Sequence, residues 1–295
     1  MTPAQAADLL HAARLERRTL APFTDTYPNL DEDWGYAVQA LAREDSIAAG
    51  DRVVGAKLGL TSVAKQQRMG VDRPIVGFLT HTMLLEPDNV GGALTRFAQP
   101  RIEPEIAFVT ARDIDRILAP GEVEASITTV AVATEIIDSR YTDYRFRLPD
   151  ELADNTSAAG VLLGHPVPLQ AVADLASLRC EVEVDGEIVH RATGAAILGH
   201  PLRAVQLLAE HLERHQEFLP AGSLVLAGAL TDAVPLLAGR SYRLTVEDLG
   251  TIATAPVPAL GSSDACVCRS DPRGEAVRRG RLHTGAFRHI GRAPH

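Results

Sequence analysis

The sequence predicts a mixed α/β fold in which an N-terminal helical layer covers a sheet-rich core. Three observations carry that expectation. Two segments near the N-terminus place apolar residues at helical spacing. The apolar runs from residue 51 onward are short, β-favouring and bounded by Gly, Pro, Asn or Asp. At 295 residues and 46% hydrophobic, the chain is long and apolar enough to bury a sizeable core.

The helical layer occupies residues 1–50. Residues 2–18 read as a helix with Thr2 as cap and Pro3 in the first turn, with Leu9, Leu10, Ala13 and Leu15 near one face. A second helix is expected from Asp31 to Ala49, stopped by Gly50. Residues 51–61 (D-R-V-V-G-A-K-L-G-L-T) read as a buried strand entering a glycine-containing turn, and residues 62–70 as a short helix carrying Lys65 and Arg68. Residues 81–100 read as a connecting loop. A strand over R-I-E-P-E-I-A-F-V follows, then a helix from Gly121, then a second apolar run, V-A-V-A-T-E-I-I. Residues 178–191 form a hairpin turning at Asp185–Gly186. A helix from Leu202, a strand over 223–232 turning at Gly228, and two last strands near 241–246 and 251–253 complete the core.

Composition narrows the function classes. Lys and Arg number 29 against 38 Asp and Glu, and the net charge of −9 argues against a nucleic-acid binder. No apolar stretch approaches about 18 residues, so no membrane span is expected. The N-terminus lacks the apolar core of a signal peptide. Cys180, Cys266 and Cys268 make no disulfide framework, which suits a reducing cytoplasm. Residues 261–295 carry an excess of arginine and no apolar periodicity, and read as a disordered basic tail. No glycine-rich phosphate loop occurs, so no nucleotide cofactor is indicated.

Chemistry concentrates in three carboxylates set among apolar residues. A spacing of two places Glu103 and Glu105 on one face of a strand, roughly 6.5–7 Å apart at the backbone. Pro104 faces the other way and has no N–H to give a ladder, which puts this strand at an edge or beside a bulge. Two ionised carboxylates on a half-buried face need a positive neighbour, and a hard divalent cation held by carboxylate oxygens would serve. Glu135 is the natural third ligand. The same spacing at Glu181 and Glu183 in the hairpin reads as a solvated face, so the pattern alone is weak. Lys57, a lysine inside an apolar strand, must pair or serve chemistry.

Longer motifs strengthen the reading. The run E-I-I-D-S-R-Y-(x)-D-Y-R-F-R-L-P-D-E-L-A-D-N-T-S-A, with K-L-G-L-T-S-V-A-K-Q-Q-R-M-G-V-D-R-P-I-V-G-F-L-T upstream and G-A-A-I-L-G-H-P downstream, resembles the hydratase/decarboxylase branch of the fumarylacetoacetate hydrolase superfamily. These are enzymes of meta-cleavage aromatic degradation, and the resemblance spans about residues 5–255. It implies a mixed, largely β-rolled catalytic core over 51–260 and an Mg2+ or Mn2+ ion held by Glu103, Glu105 and Glu135. It implies that Lys57 reaches the substrate's oxygens, and that Gly59, Leu60 and Thr61 hold a substrate carboxylate. Ser157, with Asp154 and Asn155, would line the pocket, and Thr231 would help hold a carboxylate. Arg140 is expected to pair with Asp138 or a site glutamate.

Within that branch, hydratases carry an acidic residue directly after the proline of the P-I-V-G segment, whereas this chain has Ile75. Adding water across a double bond needs a general acid/base near carbon; loss of CO2 needs none there. Ile75 and the His200–Pro201 pair resemble the decarboxylases. The implied reaction is metal-dependent decarboxylation of 2-oxohex-3-enedioate or a close 2-oxo-enedioate. A 2-oxopent-4-enoate-type hydratase is the nearest alternative, and a non-catalytic scaffold subunit of a hydratase complex is another. A C–C hydrolase would need a water-activating Glu–His pair, and His81 is the only histidine between Lys57 and Glu103. The resemblance implies a small-molecule 2-oxo dicarboxylate substrate, a homo-oligomer and association with a cognate hydratase, with neither nucleic acid nor membrane as partner.

Overall fold

Residues 1–87 and 90–254 are described by the structure, a computed structural model. The tail expected over 261–295 lies outside the described residues. The chain opens with α1 (Pro3–Leu15), where Thr2 and Gln5 cap each other's backbone N–H groups in a capping box. After α2 (Phe23–Thr26), α3 (Glu32–Ala48) starts at Asp31, whose carboxylate accepts from the Trp34 N–H. These helices bury Ala6, Leu10, Phe23 and Val38 against Tyr141 and Ala153, a small core of their own.

Strand β1 (Val53–Gly59) leads into α4 (Val63–Met69), capped by Ser62 and stopped by Gly70 in the left-handed conformation. Then come β2 (Ile75–Thr80), β3 (Leu84–Leu85), α5 (Val90–Leu94) and the long β4 (Arg101–Thr110). The expectation of a plain loop over 81–100 is therefore corrected. A two-residue strand and a five-residue helix are too short to show periodicity. The helix expected from Gly121 is a single turn, α6 (Pro120–Val123), before β5 (Ile127–Ile137). α7 (Leu148–Ala153), β6 (Ala158–Leu163) and β7 (Val167–Pro168) follow. The hairpin of β8 (Arg179–Val184) and β9 (Glu187–Thr193) turns at Asp185–Gly186, both at positive φ. α8 (Leu202–Arg214), β10 (Leu224–Ala229), β11 (Val234–Pro235), β12 (Tyr242–Val246) and β13 (Gly250–Thr254) complete the described chain.

The strands form two sheets. The larger runs β2-β1-β10-β4-β5-β6-β3, with β11 pairing β4 and β7 pairing β5. β1/β10 and β3/β6 are parallel pairs and the rest are antiparallel, so the sheet is mixed. The smaller sheet, β13-β12-β8-β9, is antiparallel. Strand parity sorts the two faces of the large sheet. Ile102, Ile106 and Phe108 of β4 join Val130, Val132 and Ile136 of β5 in the main core, which also takes in the small sheet and α8. The opposite face carries Ala107, Ala133, Leu226 and Leu79, a smaller apolar floor. Glu103, Glu105, Glu135 and Lys57 share the parity of that second face.

β4 is not an edge strand: β10 flanks it on one side and β5 on the other. Of the two places expected for Pro104, the bulge is the one observed. The β10 ladder shifts register between Leu226 and Ala229, and the Pro104 carbonyl accepts from the Leu230 N–H beyond it. No helix among the described residues is long and apolar enough to cross a membrane.

α8 meets α3 through a cluster of three rings tilted against one another. Tyr36 lies 5.2 Å from His211 and 4.9 Å from His215, and the two imidazoles are 4.3 Å apart. Burial pushes His211 down to about 3, with His215, Arg214 and Arg73 adding to the effect. A histidine with a depressed folded-state pKa contributes stability that is present above pH 6.5 and lost as pH falls toward 3. We predict that wild-type protein loses up to about 2 kcal/mol more than His211→Phe between pH 6.5 and about pH 5. Denaturant melts of both at the two pH values check this. Equal losses would show that the buried histidine is not the cause.

Candidate active site

The site is assembled by register. β4 and β5 pair so that Glu103 stands directly opposite Glu135, with Glu105 two residues along on the same face. One carboxylate oxygen from each of the three lies within 4.8 Å of the others. Glu105 and Glu135 are fully buried and the Glu103 side chain nearly so. Lys57 enters from β1, three strand positions from β5. On a flat sheet that separation would be about 14 Å, yet Lys57 Nζ lies 3.1 Å from Glu135 Oε2. The long lysine and glutamate side chains span that gap over the face the cluster shares. Lys57 Nζ also donates to the Thr156 carbonyl at 3.1 Å.

Electrostatics explain why these groups need one another. Burial pushes the Glu105 carboxyl well above the usual carboxylate range. Glu135 and Glu103 push it further, against the pull of Lys57. Glu135 is raised by burial too, with Lys57 opposing. Burial would lower Lys57, but the three glutamates outweigh it and hold the ammonium charged. Glu105 Oε2 accepts from the Gly228 N–H at 2.8 Å. Among the described residues, Glu105 Oε1 and Glu135 Oε1 have no hydrogen-bond partner. Two unpartnered buried carboxylate oxygens in a cluster of three glutamates, all hard donors, fit a hard divalent cation such as Mg2+ or Mn2+.

Two turns frame the cluster. Gly228, at φ +108, has its Cα side filled by Thr61: an added Cβ would lie 2.1 Å from Thr61 Oγ1. That contact sets the Gly59–Leu60–Thr61 turn beside the peptide that donates to Glu105. Leu60 adopts φ 55, and its carbonyl accepts from Gln66, while the Thr61 carbonyl accepts from Leu198. On the other side Asn155, Thr156 and Ser157 are all left-handed, at φ 51, 51 and 62. The Asn155 side chain locks this strained turn by accepting from the Phe78 N–H and donating to the Phe78 carbonyl, both at 2.9 Å. Gly77 opposes Lys57 across β2, and a Cβ there would meet Thr156 Oγ1 at 2.5 Å.

Of the residues expected at the site, the structure gathers Glu103, Glu105, Glu135 and Lys57. It places Gly59, Leu60 and Thr61 next to Glu105 through Gly228. Ser157 is buried, its hydroxyl without a hydrogen-bond partner among the described residues. Thr231 lies two residues beyond Ala229, which pairs with Glu105, and its hydroxyl donates to the neighbouring Asp232 carbonyl at 3.0 Å. Ile75 is buried against Gly59, its cross-strand partner. Arg140 pairs with Asp138, as expected, and Asp138 in turn accepts from the Ala98 and Gln99 N–H groups ahead of β4. Asp154 ties this segment to α1 by accepting from Arg14. His81 stands exposed against Arg52, and His200 accepts from the Leu202 N–H at the start of α8.

Sequence reasoning missed Glu151. Its Oε2 is shut from solvent with no partner among the described residues, and burial pushes its carboxyl up to about 7, with Lys57 opposing and Glu103 adding. It sits in the P-D-E-L-A-D-N run, whose length in α7 gives no strand-like alternation to flag it. Lys65 stood on a recognised helix with no role; its ammonium lies 3.5 Å from Glu103 Oε1.

Comparison with known proteins supports the architecture. Residues 52–256 match the family model described as fumarylacetoacetate (FAA) hydrolase C-terminal. A 4-oxalocrotonate decarboxylase of a Pseudomonas species is 42% identical over 219 residues, covering 73% of this chain and 83% of that protein. A 2-keto-4-pentenoate hydratase of Burkholderia vietnamiensis is 39% identical over 251 residues, covering 84% and 95%. The solved 4-oxalocrotonate decarboxylase from Pseudomonas putida G7, complexed with magnesium and adipate, superposes with a TM-score of 0.79 at 33% identity. The match covers 86% of this chain and 98% of that one.

Three crowded carboxylates strain the metal-free fold. Mg2+ at about 100 times its Kd is expected to stabilise the protein by roughly 2.7 kcal/mol, and chelation to reverse this. Glu105→Gln keeps an acceptor for Gly228 but removes one buried charge. That variant is expected to be more stable than wild type without metal, by about 1–3 kcal/mol, and to lose most of the metal response. Thermal melts with chelator and with Mg2+ read both effects; an undiminished response in the variant would place the metal elsewhere.

Proposed function

The chain belongs to the fumarylacetoacetate hydrolase family, and on that premise we propose that it removes CO2 from 2-oxohex-3-enedioate (4-oxalocrotonate) or a close 2-oxo-enedioate. The product would be 2-hydroxypenta-2,4-dienoate. The observation that carries the reading is the buried Glu103–Glu105–Glu135 cluster facing Lys57, with Ile75 where water addition would call for an acid.

The substrate contains its own electron sink. Breaking the C5–C6 bond releases CO2 and sends its electron pair into a C4–C5 double bond. The C3–C4 π pair moves to C2–C3, and the carbonyl pair moves onto the C2 oxygen, which takes up one proton. The problem for the protein is the charge arriving at that oxygen. Glu103, Glu105 and Glu135 would hold a divalent cation, which when bound supplies Lewis-acid stabilisation of that charge. Lys57 adds a second positive group in a site shielded from water, where such a charge counts most. Its bonds to Glu135 and to the Thr156 carbonyl fix its position before substrate arrives. The Gly59–Leu60–Thr61 turn and Ser157 would receive the C1 carboxylate. Ile75 keeps the region beside Gly59 apolar, which disfavours a bound water near the reacting carbons.

Hydration of a 2-oxopent-4-enoate-type substrate is the second reading, favoured by the 39% identity to a hydratase and opposed by Ile75. A cytoplasmic, homo-oligomeric enzyme working beside a hydratase that consumes its dienoate product suits the same chemistry.

Chelator-stripped protein given Mg2+ or Mn2+ is expected to release CO2 and the dienoate together from 2-oxohex-3-enedioate. Lys57→Met should lower kcat by about 10²–10³-fold while keeping the metal-induced rise in melting temperature. Metal-dependent water addition to the dienoate without CO2 release would replace this reading with the hydratase. Binding of a partner hydratase with neither activity would leave a scaffold role.

A further inference from the structure

Of the 29 lysines and arginines in this chain, only two are lysine, Lys57 and Lys65. Both stand on the carboxylate cluster, Lys57 3.1 Å from Glu135 and Lys65 3.5 Å from Glu103. Every other cationic position is arginine, including Arg68 one turn further along α4. Lys57 is accounted for by its burial among glutamates. Lys65 is not. Its side chain is 31% exposed and its contact with Glu103 is long, and a pair of that kind stabilises little. As a mere partner for a carboxylate, the planar fork of arginine would serve better.

Charge balance shows what Lys65 is free to do. Three carboxylates and Lys57 sum to −2, which a divalent cation at the cluster would cancel. Glu103 would then be committed to that cation, leaving the Lys65 charge without a use inside the cluster. The proposed substrate is a dianion. Its C1 carboxylate and 2-oxo group belong with the cluster and Lys57, so the C6 carboxylate needs a counter-charge at the solvent-facing side, where Glu103 and Lys65 lie. We propose that Lys65 is the specificity residue that reads the distal carboxylate, selecting a dicarboxylate over a monocarboxylate 2-oxo acid; this rests on the decarboxylase reading above. A compact ammonium with three rotatable donors can turn from Glu103 to an incoming carboxylate, whereas a guanidinium would clamp Glu103 bidentately. Since the C6 carboxylate loses its charge on becoming CO2, this contact is stronger in the ground state than in the transition state. It therefore sets affinity for the bound dianion without speeding the chemical step, and its loss should raise KM with kcat unchanged or higher.

The test is titration calorimetry on Mg2+-loaded protein with two inert probes, adipate and hexanoate, which differ only in the distal carboxylate. Wild type is expected to prefer adipate by about tenfold or more. Lys65→Gln should lose that preference while binding hexanoate as before, and Lys65→Arg should retain part of it. In turnover, Lys65→Gln should raise KM about tenfold without lowering kcat. No adipate preference in wild type, an unaltered preference in Lys65→Gln, an equal loss of both probes, or a fall in kcat at constant KM would each overturn the proposal. The calorimetry involves no turnover, so the two readings fail separately. A Lys65-dependent preference without CO2 release sinks only the decarboxylase, and CO2 release with a Lys65-independent preference sinks only this role.

Discussion

The buried pair between Lys57 and Glu135 joins strands that lie three places apart in the large sheet. The pair cannot be dismantled from one side. Removing Lys57 would leave three carboxylates in an apolar setting, and removing Glu135 would leave an ammonium with only a peptide carbonyl and the remaining glutamates around it. Isolated buried pairs often add little to stability, because losing hydration offsets the attraction. Here the attraction is shared among four groups, and the deficit that remains is negative. That deficit makes this face of the sheet a receptor for a cation, a consequence of packing three acids against one base.

Backbone conformation is subordinated to the same cluster. Three successive non-glycine residues, Asn155 to Ser157, sit in the left-handed region, each at some cost in strain. The turn delivers the Thr156 carbonyl to Lys57, and the Asn155 amide holds it there through both polar groups of Phe78. Glycine appears where neighbours leave no room for a Cβ: Gly77 under Thr156 and Gly228 under Thr61. At Gly228 the bulge opposite Pro104 releases a peptide N–H from the ladder, and that N–H goes to Glu105. A proline with no donor to offer and a glycine able to bulge are complementary halves of one device.

Much of this was legible in the sequence because it depends on period two. Glu103, Glu105 and the apolar residues between them announced one face, and Glu135 inside V-A-V-A-T-E-I-I announced another. The hairpin at Asp185–Gly186, the capped helices and the Gly70 stop were equally local. What the sequence left open depends on distant contacts. Pro104 was compatible with an edge or a bulge, and only the order β10-β4-β5 decides between them. Thr231 was placed in the pocket by resemblance alone, and only the return of β10 alongside β4 brings it near Glu105. Glu151 has no pattern at all, since its meaning comes from Lys57 and Glu103, which reach it through the fold.

The division between a shared floor and a variable rim follows from the chemistry. Decarboxylation of the enedioate and hydration of the resulting dienoate both place charge on the same C2 oxygen, so both call for the same carboxylates, cation and Lys57. They part at the far end of the carbon chain, where one reaction gains a proton and a hydroxide, the elements of water, and the other loses a carboxylate. The residues that distinguish them should therefore lie beside the cluster rather than in it. Ile75, on the strand paired with β1, and Lys65, on the helix just after it, occupy that position. Their two characters, one apolar and one cationic, exclude a proton-transfer group near carbon and supply a counter-charge for a second carboxylate. A site of this kind recognises the departing group without assisting its departure, and leaves the electron sink at C2 to drive the reaction.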